Sequence, residues 1–332
     1  MLLTRRQVAG ALLAAPLLAS RSYAAETWPK MPDPQLWRID VPPRHEGTAE
    51  GGPNGQVYYR IYGEEPGRTP IVALHGGPAG GHTYMRPYSA LATDRQVVLY
   101  DQSGCGRSAR PADLSLYTID RYVGELEALR SHLGLERMIV LGHSWGSVLA
   151  PAYAASYPDR VEAIVLTGSV TRYRDYQEAA LRWLRAMGPG VVATVQAAEK
   201  SGNTADPAYQ KILDEYYHAH VIRLKTWPQW VLDTFGDLDD NPVYKSLNGT
   251  SEFSLTGTLL NVDLRPKLAR LHMPALVSCG EFDEAPPWVG RKVAAALSNA
   301  QFHAFPGLGH CPHIEDPERA MAVTRSFIQG VA

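Results

Sequence analysis

From about residue 56 the chain alternates short apolar, β-branched runs with longer stretches whose apolar positions recur every three or four residues. The runs at 57–62 (VYYRIY), 71–75 (IVALH), 96–101 (QVVLYD), 138–143 (MIVLGH), 161–167 (VEAIVLT), 275–280 (ALVSCG) and 300–305 (AQFHAF) predict strands. Between the third and fourth runs, Ile119, Tyr122, Val123, Leu126, Leu129 and Leu133 share one helical face and would cover one side of a sheet. Strands alternating with helices in this way predict an α/β fold, a mostly parallel sheet flanked by helices. Over 169–255 the rhythm changes to helical, aromatic-rich sequence, with Trp183, Tyr216, Tyr217, Trp227 and Trp230 and no convincing strand run. This segment reads as a helical cap inserted into one core built from 26–168 and 256–332. Pro274 breaks the chain just before the strand pattern resumes.

Residues 1–25 follow a different pattern: a short basic start, an apolar run from Val8 to Ala19, then small residues around Ser22 and Ala24. That is the order of an export signal, either removed after about Ala24 or kept as an amphipathic anchor. Arg5 and Arg6 before a weakly hydrophobic run resemble the twin-arginine signal, which implies delivery of the folded chain to the periplasm or beyond. Pro16 interrupts the run, which is shorter than the roughly 20 residues that a spanning helix needs. The mature chain is expected to be soluble.

Composition narrows the chemistry. The 332 residues are 45% apolar and 20% charged, and their glycines and prolines follow no repeat, which excludes collagen-like, solenoid and low-complexity readings. Lys+Arg 32 against Asp+Glu 34 leaves a net charge of -2, no basic field for nucleic acid or an anionic membrane, so the expected partner is a small molecule or peptide. Cys105, Cys279 and Cys311 are too few for a disulfide scaffold and lack CxxC spacing; one disulfide or three thiols both remain open.

The sharpest local signal is Gly142-His143-Ser144-Trp145-Gly146, a GxSxG motif that ends an apolar run and opens a helical stretch (145–157). A tight strand-to-helix turn leaves no room for side chains at its flanks and lifts the serine hydroxyl clear of the sheet, which makes Ser144 the candidate nucleophile. A hydroxyl attacks only when a base takes its proton and a carboxylate orients that base. His310, in the Gly307-Leu308-Gly309-His310 loop after the last strand, is the candidate base, with His313 its rival. Asp283, in Gly280-Glu281-Phe282-Asp283, is the candidate acid; Glu281 reads as a turn carboxylate and Glu284 as a solvated charge. The backbone N–H groups of Gly77, in His75-Gly76-Gly77-Pro78, and of Trp145 are the expected oxyanion hole, with His75 bracing the loop.

Other patterns carry less. Gly104-Cys105-Gly106-Arg107-Ser108-Ala109 matches a dinucleotide fingerprint, but Pro111 follows and no helix opens there for a phosphate. His218 and His220 are two apart, on different sides of a helix, and neither HExxH nor GxxxxGK[ST] occurs, so neither metal nor cofactor is called for. Cys105 and Cys311 read as small packing residues.

HGGP at 75–78, DQSGCGRS at 101–108, GHSWGS at 142–147 and GEFDE at 280–284 together resemble the proline iminopeptidase family of α/β-hydrolases, through nearly the whole mature chain. YKSLNGTSEFSLTGTLLNVD at 244–263 is similar to the bacterial branch that contains L-amino-acid amidases and the tricorn-interacting aminopeptidase. The resemblance implies a triad of Ser144, Asp283 and His310, and release of an N-terminal residue from a short peptide or amino-acid amide. It also implies cap carboxylates that hold the substrate ammonium, carried over to Glu252 and Glu215. The sequence departs from the family's HGGPG and DQRG at Ala79 and Ser103, which leaves the preference for proline open. An esterase or xenobiotic amidase on the same scaffold is the enzymatic alternative. A binding protein without turnover is the remaining one.

Overall fold

In the computed structural model, which describes residues 42–64 and 67–331, each expected apolar run is a strand. The export segment expected at 1–25 lies outside the described residues. In chain order the strands are β1 (His45–Glu50), β2 (Gln56–Tyr62), β3 (Ile71–Leu74), β4 (Val97–Tyr100), β5 (Met138–His143), β6 (Val161–Thr167), the short β7 (Gly249–Ser251) and β8 (Ser254–Leu255), then β9 (Ala275–Gly280) and β10 (Ala300–Phe305). Eight of them form one sheet in the order β1-β2-β4-β3-β5-β6-β9-β10. The pairs β1–β2 and β2–β4 are antiparallel and all the others parallel. Every residue of β5 is buried, as befits a central strand with helices on both faces. β1 was not legible from its apolar pattern: HEGTAE is a mostly polar edge strand.

The helices of the core are α1 (Ile119–His132) and α2 (Gly146–Ser156) before the excursion described next. The Thr118 hydroxyl caps α1 by accepting from the Arg121 N–H, and the apolar face foreseen in the sequence buries Tyr122, Val123, Leu126 and Leu129. After β6 the chain leaves the sheet and forms α3 (Tyr173–Ala186), α4 (Val191–Ser201), α5 (Pro207–Tyr216), α6 (Gln229–Asp239) and α7 (Pro242–Leu247), then the β7–β8 hairpin. The excursion closes on itself at a neck: the Tyr173 N–H donates to the Val262 carbonyl (3.2 Å) and the Leu264 N–H to that of Thr171 (2.9 Å). Strands of three and two residues are too short to show an alternating pattern, so the hairpin was missed. The chain returns through α8 (Arg265–Leu268), β9, α9 (Pro287–Ala296), β10, α10 (Pro312–Glu315) and α11 (Pro317–Gln329). Among the described residues no helix is long and apolar enough to cross a membrane. All three cysteines are free and buried.

Candidate active site

The carboxyl ends of β3, β4, β5, β6, β9 and β10 lie along one edge of the parallel sheet, where open α/β sheets place their sites. Ser144 follows β5 directly and adopts a left-handed φ of 52°, rare for a residue with a side chain. Its N–H donates to the Thr167 carbonyl (2.9 Å) and its carbonyl accepts from the Ser147 hydroxyl (2.5 Å), so β6 and α2 hold the turn from both sides. The flanking glycines are required by space. A Cβ on Gly142 would lie 2.2 Å from the Gly146 carbonyl oxygen, and one on Gly146 2.1 Å from that of Leu74. The glycine turn after β3 abuts the same side chain: a Cβ on Gly76 would come within 2.8 Å of Ser144 Cβ. Gly77, the next residue, has φ 110°, open to glycine and strained for others.

His310 Nδ1 donates to Asp283 Oδ1 at 2.7 Å, and the same oxygen accepts from the Ala285 N–H at 2.7 Å. Both side chains are buried. Burial alone would lower the His310 pKa; the charges of Asp283, Glu284 and Glu252 outweigh it and raise it to about 9. The rival, His313, is buried against Tyr88 in a stacked arrangement (ring centroids 4.9 Å apart) and burial pushes its pKa down to about 3. No carboxylate pairs with it among the described residues. His143, Cys311 and His313 come together beneath His310, their ligand atoms within 4.8 Å of one another. His143 is already engaged at both nitrogens, donating from Nε2 to the His310 carbonyl (2.9 Å) and accepting at Nδ1 from the Tyr84 hydroxyl (2.9 Å).

The acids sort differently from the sequence expectation. Glu252 sits at the tip of the β7–β8 hairpin, where Oε2 accepts from the Tyr176 hydroxyl (2.7 Å) and Oε1 from that of Tyr244 (2.8 Å). Glu215 is not beside it: on α5 it points outward and pairs with Lys211, one turn earlier. The acid that lies beside the base is instead Glu284, read from the sequence as a solvated charge but 2% exposed, with Oε1 3.4 Å from His310 Nε2. Glu252 acts electrostatically on both Glu284 and His310, so the two acids and the imidazole form one cluster. Glu281 is a turn carboxylate, accepting from the Gly307 N–H at 2.9 Å.

Two sets of contacts position these groups. On the core side, the Gln102 amide bridges the two halves of the expected oxyanion hole. Its Nε2 donates to the His75 carbonyl (3.0 Å) and its Oε1 accepts from the Trp145 indole (2.9 Å). The His75 ring accepts from the Gln102 N–H (3.0 Å), and burial lowers its pKa to about 4, which suits a neutral brace. On the cap side, the His220 and Val221 carbonyls accept from the N–H groups of His310 (2.9 Å) and Cys311 (3.1 Å). His220 Nδ1 donates to the Phe282 carbonyl (2.8 Å) and Trp183 Nε1 to the Asp283 carbonyl (3.1 Å), their rings stacked at 4.2 Å. Neither Trp183 nor His220 was singled out from the sequence for this role, because long-range bonds to backbone carbonyls leave no local pattern.

The sequence profile of the alpha/beta hydrolase fold matches residues 69–317. The proline iminopeptidase of Heyndrickxia coagulans is 33% identical over 277 residues, which cover 83% of this chain and 96% of that protein. Among solved structures, the proline iminopeptidase of Mycobacterium smegmatis superposes with a TM-score of 0.79 at 33% identity, over 86% of this chain and 98% of its own. VinJ superposes with a TM-score of 0.84 at 28% identity, over 88% and 100%.

Proposed function

The chain belongs to the proline iminopeptidase family of α/β-hydrolases, and from that premise we propose that it is a serine aminopeptidase in which Ser144, His310 and Asp283 carry acyl transfer and Glu252 and Glu284 hold the free amine of the substrate. One observation supports this reading most. The base is bonded to its buried acid at 2.7 Å while a second buried carboxylate stands 3.4 Å from its other nitrogen. A general hydrolase needs the first contact; the second suits a substrate that brings its own positive charge.

In this mechanism the substrate ammonium docks against the acid cluster and sets the first residue's carbonyl over Ser144. His310 Nε2 takes the Ser144 proton as the oxygen bonds to that carbonyl carbon, and the N–H groups of Gly77 and Trp145 take up the negative charge on the carbonyl oxygen. His310 passes the proton to the leaving nitrogen as the C–N bond breaks. Water, losing its proton to His310, then adds to the acyl carbon, and His310 returns that proton to the Ser144 oxygen as the acyl C–O bond breaks and frees the amino acid. The roles use only side chains and backbone of this chain. Short peptides and amino-acid amides both fit, since nothing beyond the scissile nitrogen is measured off by the acid cluster.

The test is hydrolysis of matched amides and anilides of Pro, Ala, Phe and Leu, each with a free and an acetylated amine, beside a simple ester. Free-amine substrates should be strongly preferred, Glu252→Gln should erode that preference, and Ser144→Ala should abolish turnover. Equal turnover of blocked amides or esters would instead assign an esterase or xenobiotic amidase. We place the protein outside the cytoplasm, on the twin-arginine-like start at Arg5-Arg6. Sequencing the mature N-terminus of periplasmic protein should find it near Glu26, and an intact Met1 in the cytoplasmic fraction would refute this.

A further inference from the structure

His310 Nε2, the atom that must take the proton of Ser144, has no hydrogen-bond partner, and Glu284 Oε1 lies 3.4 Å from it. Both side chains are buried, and Glu284 Oε2 is likewise without a partner. Asp283 holds the opposite ring nitrogen. His310 is the ion-pair partner of both Asp283 and Glu284, and no other cation pairs with either among the described residues. The remaining neighbours add no positive charge. His143, from β5, is 4.6 Å away between ring centroids and is kept neutral by burial; His313 on α10 is neutral for the same reason. His220, from the cap, is pushed below its usual pKa by burial. The Tyr176, Tyr216 and Tyr244 hydroxyls of the cap are held un-ionised, first by burial and then by the acids beside them.

Two carboxylates therefore pair with the one imidazole here that is not held neutral, and the cluster favours whatever positive charge enters it. With the site empty, that charge is a proton. The His310 pKa of about 9 means that the ring is an imidazolium at neutral pH. Burial raises the pKa of Glu284 to about 8, the charges of Glu252 and Asp283 adding to the rise and the His310 charge and the Tyr176 hydroxyl opposing it, so the two groups titrate as one pair whose last proton to leave is that of the ring. An imidazolium cannot accept a proton from serine. A substrate with a free amine carries the replacement charge.

We propose that Glu284 is a specificity-determining residue that links recognition of the substrate ammonium to activation of the base: in the empty site its carboxylate holds the His310 imidazolium, and an ammonium bound at Glu284 and Glu252 takes over that charge and expels the proton. The inference rests on the amine-binding role given to these acids above. One proton leaves His310 for solvent on binding, and Nε2 is then free for the Ser144 proton. The ammonium belongs to the acyl half of the substrate, so it stays in place after the leaving group departs and keeps His310 a base for deacylation. Departure of the amino acid lets one proton return. A blocked amine can dock without switching the base, so selectivity falls on kcat and less on KM.

The experiment is the second-order rate of Ser144 labelling by a small neutral fluorophosphonate, which has no amine, followed from pH 6 to 10. Wild-type labelling should be slow at pH 7 and rise through an inflection near pH 9, following the His310 pKa of about 9. Glu284→Gln should move the inflection to lower pH and speed labelling at pH 7, by about tenfold for every pH unit that the inflection moves, while slowing hydrolysis of a free-amine amide. Pyrrolidinium added to wild-type protein, which needs no variant to fold, should also speed labelling at pH 7. A pH profile unchanged by Glu284→Gln, or labelling that pyrrolidinium slows or leaves unchanged, would overturn the gate while leaving the nucleophile in place. Absence of labelling at every pH would remove the serine nucleophile itself, and the gate with it.

Discussion

Ser144 at φ 52° is strain held in place by its neighbours, and the neighbours bearing most of it have no side chains. Gly146 lies against the Leu74 backbone, where a Cβ would have to share space with a carbonyl 2.1 Å away, and backbone in a central strand cannot yield. Gly146→Ala is therefore expected to cost about 3 kcal/mol or more by overpacking, read from urea unfolding. Gly134 is a control with a different physics: its φ is 64°, in the left-handed region that Gly146 does not occupy, and nothing lies within 4 Å of a Cβ. Gly134→Ala should cost only the left-handed backbone strain, about 1–2 kcal/mol. Equal losses at the two positions would mean that the elbow relaxes and that its glycines are not there for space. The same residue-scale view separates the acids. Glu215 had a legible sign of exposure, Lys211 four residues earlier on the same helical face, and that ion pair is what forms. Glu284 had none. Asp283 closes a tight turn by accepting from the Ala285 N–H, and two successive acids end up buried together, against the usual rule for charges.

Elements, in contrast, were legible wherever burial imposed a period. The runs that became β2 through β6, β9 and β10 are those whose apolar residues had to meet helices, and α1 buries the face its spacing foretold. β1 and the β7–β8 hairpin escaped because pairing, not burial of an apolar face, makes them strands. The change of rhythm over 169–255 coincides with helices that leave the sheet after β6, and backbone bonds at 171–173 against 262–264, rather than a side-chain pattern, close that excursion. What sequence could not supply is the grip of the helices between β6 and β7 on the loops that carry Asp283 and His310. Trp183 and His220 stack and each donates to a carbonyl next to or within the Phe282-Asp283 turn. Trp183→Phe keeps the stack and removes one donor, so kcat should fall about tenfold, the equivalent of one lost hydrogen bond, with KM and melting temperature little changed. His220→Ala should do at least as much harm. His220→Asn, whose amide nitrogen can stand where Nδ1 does, should recover a good part of the loss. A fall in melting temperature with unchanged kcat would reduce these residues to packing.

Across the whole molecule, buried titratable groups set how stability responds to pH. His75 and His313, with pKa values pushed down to about 4 and about 3 by burial, stay neutral where the unfolded chain would take up protons, so they subtract stability as pH falls below 6.5. His310 has the opposite sign: its contribution is complete below 6.5 and is lost as pH rises through about 9. Glu125 acts on that alkaline side as well. It lies on α1, wholly buried, its carboxyl accepting from the Ser103 N–H at 3.2 Å, and burial raises its pKa to about 8 despite the hydrogen bonds from Ser103 and Asn54. Ser103 offers it a hydroxyl and an amide but no positive charge. The folded protein thus keeps a proton on Glu125 that the unfolded chain gives up above its ordinary pKa of 4.5, and stability falls with pH between that value and about 8. Glu125→Gln removes this share and leaves that of His310. The variant should match wild type near pH 4.5, draw ahead steadily to about pH 8 by on the order of 4 kcal/mol, and run parallel to it beyond, when urea midpoints are compared across that range. A constant difference at every pH would place an ionised carboxylate on α1 in the folded state, and the loop from Asp101 to Ser108 would then owe its position to a charge and not to a neutral acid.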